Sequence, residues 1–189
     1  MTFELTDAER AFLAAAVDCF IPADHLTPSG SDCGVVDFIA AQLAGDWGAG
    51  ARLYRDGPIQ KGKPEHGYQL GLTPRELFRI GIAAANAYCR RAHGKNFAAL
   101  DDAGRNAALT AMESGSAASD DFPAKEFFEA LLGAAMEGFF ADPIYGGNRD
   151  LAAWKMIGYP GLPASYRDAV TTSFGKRYDH PPHSLGEPQ

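Results

Sequence analysis

The five histidines are the residues of this sequence best suited to bind a metal ion. Imidazole and carboxylate groups are the usual protein ligands of first-row transition metals, and Asp24 directly precedes His25. The histidines do not recur at ligand spacing, because neither HExxH nor ExxH occurs on a predicted helix. We therefore expect no metal site in this chain. The five residues are His25, His66, His93, His180 and His183.

Motifs for catalysis and nucleotide binding are missing as well. The sequence has no GxSxG nucleophile elbow, no P-loop and no GxGxxG fingerprint after a strand pattern. We therefore expect no catalytic residue and no cofactor bound by this chain. Glu137 differs from the other carboxylates because it lies in an apolar stretch, 136–140. A lone carboxylate is weak evidence for acid–base catalysis, so we expect Glu137 to face a partner or to anchor a loop.

Residues 142–161 are the stretch best suited to molecular recognition, and we call them the 142–161 loop. Turn formers, aromatic residues and polar residues alternate there in a pattern that neither a helix nor a strand requires. Tyr145, Trp154 and Tyr159 each combine a large apolar face with a polar tip, which is typical of protein interfaces. A loop that packs only on its own domain is the alternative. For Gly146-Gly147-Asn148, an anion-binding nest is the alternative to a tight turn.

Helix signals place this loop at the end of a helical bundle. Capping boxes of Thr6 with Glu9 and of Thr73 with Glu76 predict helices over 7–20 and 74–93. Apolar spacing predicts three more, over about 35–45, 102–113 and 123–141. On the 74–93 helix, an apolar stripe with small residues is predicted to let a neighbouring helix pack closely; it consists of Leu77, Ile80, Gly81, Ala84 and Tyr88.

The predicted fold class is all-α: a single-domain irregular helical bundle of about five main helices with long ordered loops. The segment 46–72 is rich in Gly, Pro and aromatic residues, so it is predicted to be an ordered, functional loop. The sequence contains no convincing strand pattern. We expect one helical domain over 1–179 and a flexible C-terminal tail over 180–189.

Composition favours a soluble globular protein. Hydrophobic residues make up 46% of the chain and charged residues 22%, and no apolar run is long enough to span a membrane. The formal net charge of −7 disfavours nucleic acid and anionic lipid as partners. Cys19, Cys33 and Cys89 form no CxxC pair. We expect three buried thiols, with a Cys19–Cys33 or interchain disulfide as the alternative in an oxidising compartment.

Several short motifs together resemble one protein family. The 142–161 loop contains DPxYGGN at 142–148 and WKxIGYPG at 154–161, which resemble the signature of the gluconate 2-dehydrogenase subunit 3 family. Five more segments follow in the order of that family: GVVDFI at 34–39, QLAG at 42–45, YRDGP at 54–58, GYQL at 67–70 and LTPREL at 72–77. The resemblance therefore runs from about Glu9 to about Gly161.

The resemblance implies a role in a complex. Members of this family are small subunits that accompany flavin-dependent sugar and polyol dehydrogenases. The implied partner is a large subunit of the glucose-methanol-choline (GMC) type that holds FAD and passes electrons to a cytochrome c or another acceptor. This chain would bind, stabilise and help to mature or export that subunit. The expected partner-binding residues are Asp142, Tyr145, Gly146, Gly147, Asn148, Trp154, Lys155 and Tyr159, with Tyr54, Arg55 and Tyr68 as a second patch.

The resemblance also implies a periplasmic location. Many relatives carry a twin-arginine export signal on this subunit, whereas residues 1–5 show no signal and Arg90-Arg91 lies inside a predicted helix. Three explanations stay open: the signal was removed, the partner carries it, or the complex works in the cytoplasm.

Two rival functions stay open. An independent small enzyme, such as a lactonase or an isomerase, would use His66 or Glu137 in a loop-lined cleft. A transient export or folding chaperone would leave the flavoprotein once the flavin is loaded. For the subunit hypothesis, Trp154→Ala is expected to weaken the complex, because a buried Trp is often an interface hot spot.

Overall fold

The computed structural model describes residues 3–54, 56–58, 60, 62–119, 122–161 and 165–186. Within these ranges the protein is all-α, and its β-structure is limited to two isolated bridges. The helices are α1 (Asp7–Phe20), α2 (Val35–Ala44), α3 (Pro74–His93), α4 (Asp102–Glu113), α5 (Ala124–Phe140), α6 (Ala152–Ile157) and α7 (Arg167–Thr172). The predicted fold class and the five main helices are confirmed, whereas α6 and α7 were not predicted. None of the described helices is long and apolar enough to cross a membrane.

The helix starts follow from side-chain capping. In the first capping box, Thr6 Oγ1 accepts a hydrogen bond from the Glu9 amide at 3.2 Å, and Glu9 Oε2 accepts one from the Thr6 amide at 2.7 Å. Thr73 and Glu76 repeat this exchange at the start of α3. Each box satisfies amides that have no partner within the helix. Both capping boxes predicted from the sequence are therefore confirmed.

Helix α5 occupies the centre of the bundle and packs against α1, α2, α3 and α4. Its buried Phe127 lies in an aromatic cluster, with ring centroids 5.9 Å from Phe78 and 6.1 Å from Phe12. Gly81 of α3 has no side chain that could displace the Phe127 ring, since a Cβ there would overlap it. The close approach of α3 to α5 depends on this glycine.

The predicted stripe of α3 is wrong at Ile80. Ile80 is 38% exposed, and Phe78 is fully buried instead. The Phe78 ring fits between Phe127 and Trp47 of the loop after α2, which turns this face of the helix toward the core. Large aromatic burial thus outweighs the apolar spacing that placed Ile80 inside. The buried residues of α3 are Leu77, Phe78, Gly81, Ile82, Ala85 and Cys89.

The three cysteines are free thiols. Cys33 and Cys89 are buried, as predicted, whereas Cys19 is partly exposed. Burial raises the pKa of all three thiols, which keeps them protonated and poorly reactive at neutral pH.

The long loop after α2 is fastened to the end of that helix by Arg75. The Arg75 Nε donates to the Leu43 carbonyl at 3.0 Å and Nη2 donates to the Ala44 carbonyl at 3.2 Å. These carbonyls belong to the last turn of α2, where intrahelical donors are missing. The Arg75 amide also donates to the Gly48 carbonyl at 3.1 Å. The start of α3 and the end of α2 therefore hold the beginning of this loop together.

Candidate functional site

The 142–161 loop closes over the C-terminal end of α5. Trp154 Nε1 donates a hydrogen bond to the Phe140 carbonyl at 2.9 Å, and Asn148 Nδ2 donates to the Ala141 carbonyl at 2.9 Å. Carbonyls at a helix C-terminus lack intrahelical donors, so these two side chains satisfy them. Asn148 Oδ1 also accepts a hydrogen bond from the Ala153 amide at 2.9 Å, near the start of α6. The Asn148 and Trp154 side chains thereby hold the loop, including α6, against the C-terminal end of α5.

Trp154 and Asn148 are buried within their own chain. Asn148 is completely buried and Trp154 is 4% exposed. The Trp154 ring lies edge-on to the half-buried Tyr159, with centroids 4.9 Å apart. Trp154 and Asn148 were both predicted to contact a partner. In this structure the side chains of Trp154 and Asn148 position the loop from inside the chain, and their direct contact with a partner stays a prediction.

The loop backbone adopts an unfavourable conformation at three of the four residues 148–151. Asn148, Asp150 and Leu151 have φ angles of 46°, 58° and 57°, and they are the described non-glycine residues with positive φ. Side chains crowd the backbone in this left-handed region, which costs about 1–2 kcal/mol for a residue such as Leu151 and less for Asn148 and Asp150, whose short polar side chains tolerate it better. Such conformations persist only where surrounding contacts enforce them, and they cluster at functional sites. The bonds made by Asn148 and Trp154 are contacts of this kind.

The loop also packs on the N-terminal end of α2. The Arg149 amide donates to the Cys33 carbonyl at 2.9 Å, and Arg149 Nη1 donates to the Asp32 carbonyl at 2.7 Å. Gly34 has φ 82°, and a Cβ there would lie 2.6 Å from the Gly146 carbonyl oxygen. The GVVDFI and DPxYGGN segments, which are about a hundred residues apart in sequence, therefore meet in the fold.

Asp37 of α2 forms ion pairs with Arg10 of α1 and with Arg149 of the loop. Its Oδ1 lies 3.2 Å from Arg10 Nη1, and its Oδ2 lies 3.7 Å from Arg149 Nη2. All three side chains are about half exposed, so each pair contributes about 0–1 kcal/mol. Arg149 was not predicted as a site residue. Its charge, opposite to that of Asp37 in the other motif, is the sequence signal that could have identified it.

Asp142 is a buried carboxylate that organises the outer turn of the loop. Its Oδ1 accepts hydrogen bonds from the Ile144 amide at 3.0 Å and from Ser184 Oγ at 2.7 Å, and Oδ2 accepts one from the Leu185 amide at 2.9 Å. Burial alone would raise the pKa of Asp142. The three donated hydrogen bonds outweigh burial and hold the pKa below its ordinary value. The side chain is therefore a charged anchor at neutral pH.

Three apolar side chains are exposed around this anchor, and we call Ile144, Tyr145 and Leu185 the Asp142 surface. They are 53%, 51% and 53% exposed. The backbone amides of Ile144 and Leu185 bind the same carboxylate, which brings these two stretches of chain close together. Adjacent exposed apolar groups often mark sites of protein interaction. Only Tyr145 was predicted here, and Leu185 could not have been linked to the loop from its sequence position.

The remaining predicted residues of the loop take different positions. Lys155 is exposed on α6, and Gly146 is exposed at the turn after Tyr145 with φ 99°. Gly147 is buried against the Gly138 carbonyl of α5. Gly146 and Gly147 therefore form a tight turn packed against helices. Direct contact with a partner stays a prediction for all eight residues proposed in this loop, of which Tyr145, Gly146 and Lys155 are exposed.

The second predicted patch lies elsewhere. Tyr54 is 88% exposed and Tyr68 is 42% exposed, whereas Arg55 lies outside the described residues. This patch belongs to the loop that leaves the C-terminal end of α2, and the 142–161 loop packs on the N-terminal end. Tyr68 lies near Glu126 in the first turn of α5, whereas the 142–161 loop covers the other end of that 17-residue helix, about 25 Å away, so the structure does not bring Tyr68 and the loop together.

The residues considered for catalysis do not form a cleft. Glu137 is exposed on α5, where its contact with a partner stays a prediction, and His66 is exposed in a short 3₁₀ turn. Burial, with the nearby Glu76 and Glu126 carboxylates, raises the pKa of Tyr68 to about 12, so this phenol stays protonated at neutral pH. Over the described part of the chain, no three His, Cys, Asp or Glu side chains are grouped to hold a metal ion.

A shallow groove of about 320 Å³ lies along α7. Its lining includes Tyr166, Val170 and Tyr178 but neither His66 nor Glu137. This groove therefore does not contain the residues considered for catalysis.

Comparison with known proteins agrees with the motifs. No curated protein and no solved structure matches this chain significantly. The profile of the family described as gluconate 2-dehydrogenase subunit 3 matches residues 7–161 of the 189-residue chain. This range includes α1 to α6 and the whole 142–161 loop. The chain belongs to the gluconate 2-dehydrogenase subunit 3 family.

Proposed function

We propose that this chain is the non-catalytic small subunit of a dehydrogenase complex, and that it binds and stabilises a large GMC-type flavoprotein. The family is named for a subunit of a dehydrogenase. The observation that carries the proposal is an exposed apolar turn, Ile144-Tyr145, held in place by the buried side chains of Asp142, Asn148 and Trp154. Such a surface is preorganised, so it loses little conformational entropy when a partner binds.

In this proposal the chemistry belongs to the partner. The large subunit holds FAD, removes a hydride from a CH–OH group of a sugar, sugar acid or polyol, and passes electrons to a cytochrome c or another acceptor. A subunit that binds only the folded flavoprotein stabilises that state by mass action. Activity can therefore depend on this chain although it performs no chemical step. Assistance in flavoprotein maturation and export to the periplasm belongs to the same proposal.

The test is co-expression with the flavoprotein encoded beside this chain, followed by size-exclusion chromatography. Absorbance is read at protein and flavin wavelengths, and dye-linked sugar dehydrogenase activity is measured in each fraction. We expect a co-eluting yellow complex whose activity the isolated chain lacks. A flavoprotein that elutes alone and is fully active would exclude a stable subunit and would favour a transient chaperone or an independent enzyme.

A pair of surface variants locates the interface in the same experiment. Ile144→Asp places a charge on the Asp142 surface while the backbone amide still binds Asp142. Ile80→Asp changes an exposed apolar residue of α3 and serves as the matched control. We expect only Ile144→Asp to reduce co-elution. Equal retention of both variants would exclude the Asp142 surface from the interface.

A further inference from the structure

Residues 183–186 return to the 142–161 loop from beyond the range that the family profile matches. The His183 amide donates to the Pro160 carbonyl at 3.1 Å, and Gly161 and His183 form a parallel β-bridge. Gly161 has φ 83°, and a Cβ there would overlap the His183 backbone. The end of the loop is therefore shaped for close contact with this segment, although the profile ends at residue 161.

The same segment supplies two of the three hydrogen bonds described for the Asp142 carboxylate. Ser184 Oγ donates at 2.7 Å and the Leu185 amide at 2.9 Å, while the third donor, the Ile144 amide, belongs to the loop itself. Loss of the whole segment would remove both donors together with the tie to Pro160, and water would then compete with the Ile144 amide for the carboxylate. With the segment in place Asp142 is 6% exposed, so loss of the Ser184 hydroxyl alone removes a donor inside a buried site. A buried charge that loses its donors is strongly destabilised. Removing the segment should therefore loosen the turn that Asp142 organises.

We propose that residues 183–186 form a strap that closes on Asp142 and holds the 142–161 loop in the conformation that presents Ile144 and Tyr145. The strap also adds Leu185 to the Asp142 surface. Its effect on docking rests on the proposed function, whereas its effect on the loop does not. Release of the strap would open the loop and so lower the affinity for the partner.

The strap is tested first on the isolated chain by amide hydrogen exchange. One variant ends at Pro182, and a second, Ser184→Ala, removes a single donor to Asp142 without shortening the chain. Ser116→Ala is the matched control, because the Ser116 hydroxyl donates to the Ala111 carbonyl near the opposite end of α5, about 25 Å from the loop.

We expect the Ile144 amide to exchange about tenfold faster in the shortened chain, as loss of charged hydrogen bonds predicts, and to a smaller extent in Ser184→Ala. The amides of α1 to α5 should keep their protection, and Ser116→Ala should match the native chain. Unchanged exchange of Ile144 in the shortened chain would overturn the strap. If the shortened chain loses protection throughout α1 to α5, the proposal is tested with Ser184→Ala instead. Unchanged exchange of the Ile144 amide in that variant would contradict the proposed strap.

Co-elution of each variant with the flavoprotein distinguishes a failure of the strap proposal from a failure of the proposed function. Faster loop exchange with about tenfold weaker binding of the shortened chain supports both. If the native chain does not bind the flavoprotein at all, the proposed function fails, while faster exchange of Ile144 still supports the strap. Faster exchange with unchanged affinity would overturn the role of the strap in docking.

Discussion

Gly138 of α5 and Gly147 of the 142–161 loop lie in direct backbone contact. A Cβ on Gly147 would overlap the Gly138 carbonyl, and a Cβ on Gly138 would lie 2.8 Å from the ring of Phe38 in α2. The loop, α5 and α2 therefore meet in a layer that leaves no room for a side chain. This contact explains why the second glycine of the DPxYGGN motif is needed for packing, whereas the first occupies a left-handed turn.

We predict that Gly147→Ala destabilises the protein by about 1–3 kcal/mol, because the added methyl group forces the loop away from α5. Gly133→Ala, in α5, is the control. Gly133 is exposed in the interior of α5, and a Cβ there meets nothing within 4 Å. Alanine at that position should stabilise the helix by about 0.5–1 kcal/mol. Urea unfolding measures both changes, and an equal loss of stability in the two variants would contradict the packing argument.

Replacing Asn148 should lower the stability of the protein for two reasons that different variants separate: lost hydrogen bonds and backbone strain. Asn148→Gly keeps the left-handed φ but removes the hydrogen bonds to Ala141 and Ala153, which should cost about 2 kcal/mol or more. Asn148→Ala adds the left-handed strain of an ordinary residue, about 1 kcal/mol more.

Asp150→Gly is the control for the Asn148 variants. Asp150 has φ 58° and is exposed, so glycine there should leave stability unchanged or raise it. Thermal unfolding ranks the three variants. An Asn148→Ala variant as stable as Asn148→Gly would show that the backbone strain is small.

The five main helices could be predicted because their signals are local. A capping box or a left-handed glycine lies within a few residues of the end that it defines, as Thr73, Glu76 and Gly94 do for α3. The position of Ile80 could not be predicted, because Phe78 and Ile80 are both apolar and only the aromatic cluster around Phe127 decides which is buried. The pattern of one helix does not contain that information.

The 142–161 loop was located from its residue types, but the role of each residue depends on tertiary contacts. Trp154 and Tyr145 look alike in sequence as interface aromatics, yet Trp154 bonds a carbonyl 14 residues away and is buried, while Tyr145 is exposed. The bond from Ser184 to Asp142 spans 42 residues and has no sequence signal. Residue types therefore identified the loop, and the structure was needed to divide it into supporting and exposed residues.

Asp142 should make stability depend on pH in a defined direction. Its pKa is lower in the folded protein than the ordinary value of 3.8, so its charged form stabilises the fold. This contribution is fully present above the unfolded pKa, about 4, and is lost as the pH falls through the lower folded pKa. The stability advantage of the native chain over Asp142→Asn should be constant from about pH 7 to pH 5 and shrink toward pH 3.

Urea unfolding across this pH range measures that advantage. Asp179→Asn changes an exposed aspartate and should show a difference near zero at every pH. An advantage of the native chain over Asp142→Asn that grows on acidification would contradict the direction assigned to Asp142.

Substitutions of Trp154 should lower the free energy of unfolding of the isolated chain, whether or not a partner is bound. Trp154→Ala removes a buried ring and should destabilise the chain by about 3–5 kcal/mol. Trp154→Phe retains a ring beside Tyr159 but leaves the Phe140 carbonyl without its donor, for a loss of about 1 kcal/mol. Unfolding free energies of the two variants test this order. If Trp154→Ala were as stable as the native chain, the loop would have to be held by other contacts.

Substitution of Tyr145 should change partner binding but leave the stability of the isolated chain nearly unchanged. Its side chain is half exposed, so Tyr145→Ala is expected to change stability by less than about 0.5 kcal/mol. If the Asp142 surface is the docking site, the same change should weaken binding of the purified flavoprotein about tenfold or more, since exposed aromatic residues often become interface hot spots. Tyr145→Phe is the matched control and separates the ring from the hydroxyl group. Calorimetric titration of folded variants gives the affinities, and an unchanged affinity for Tyr145→Ala would remove Tyr145 from the interface.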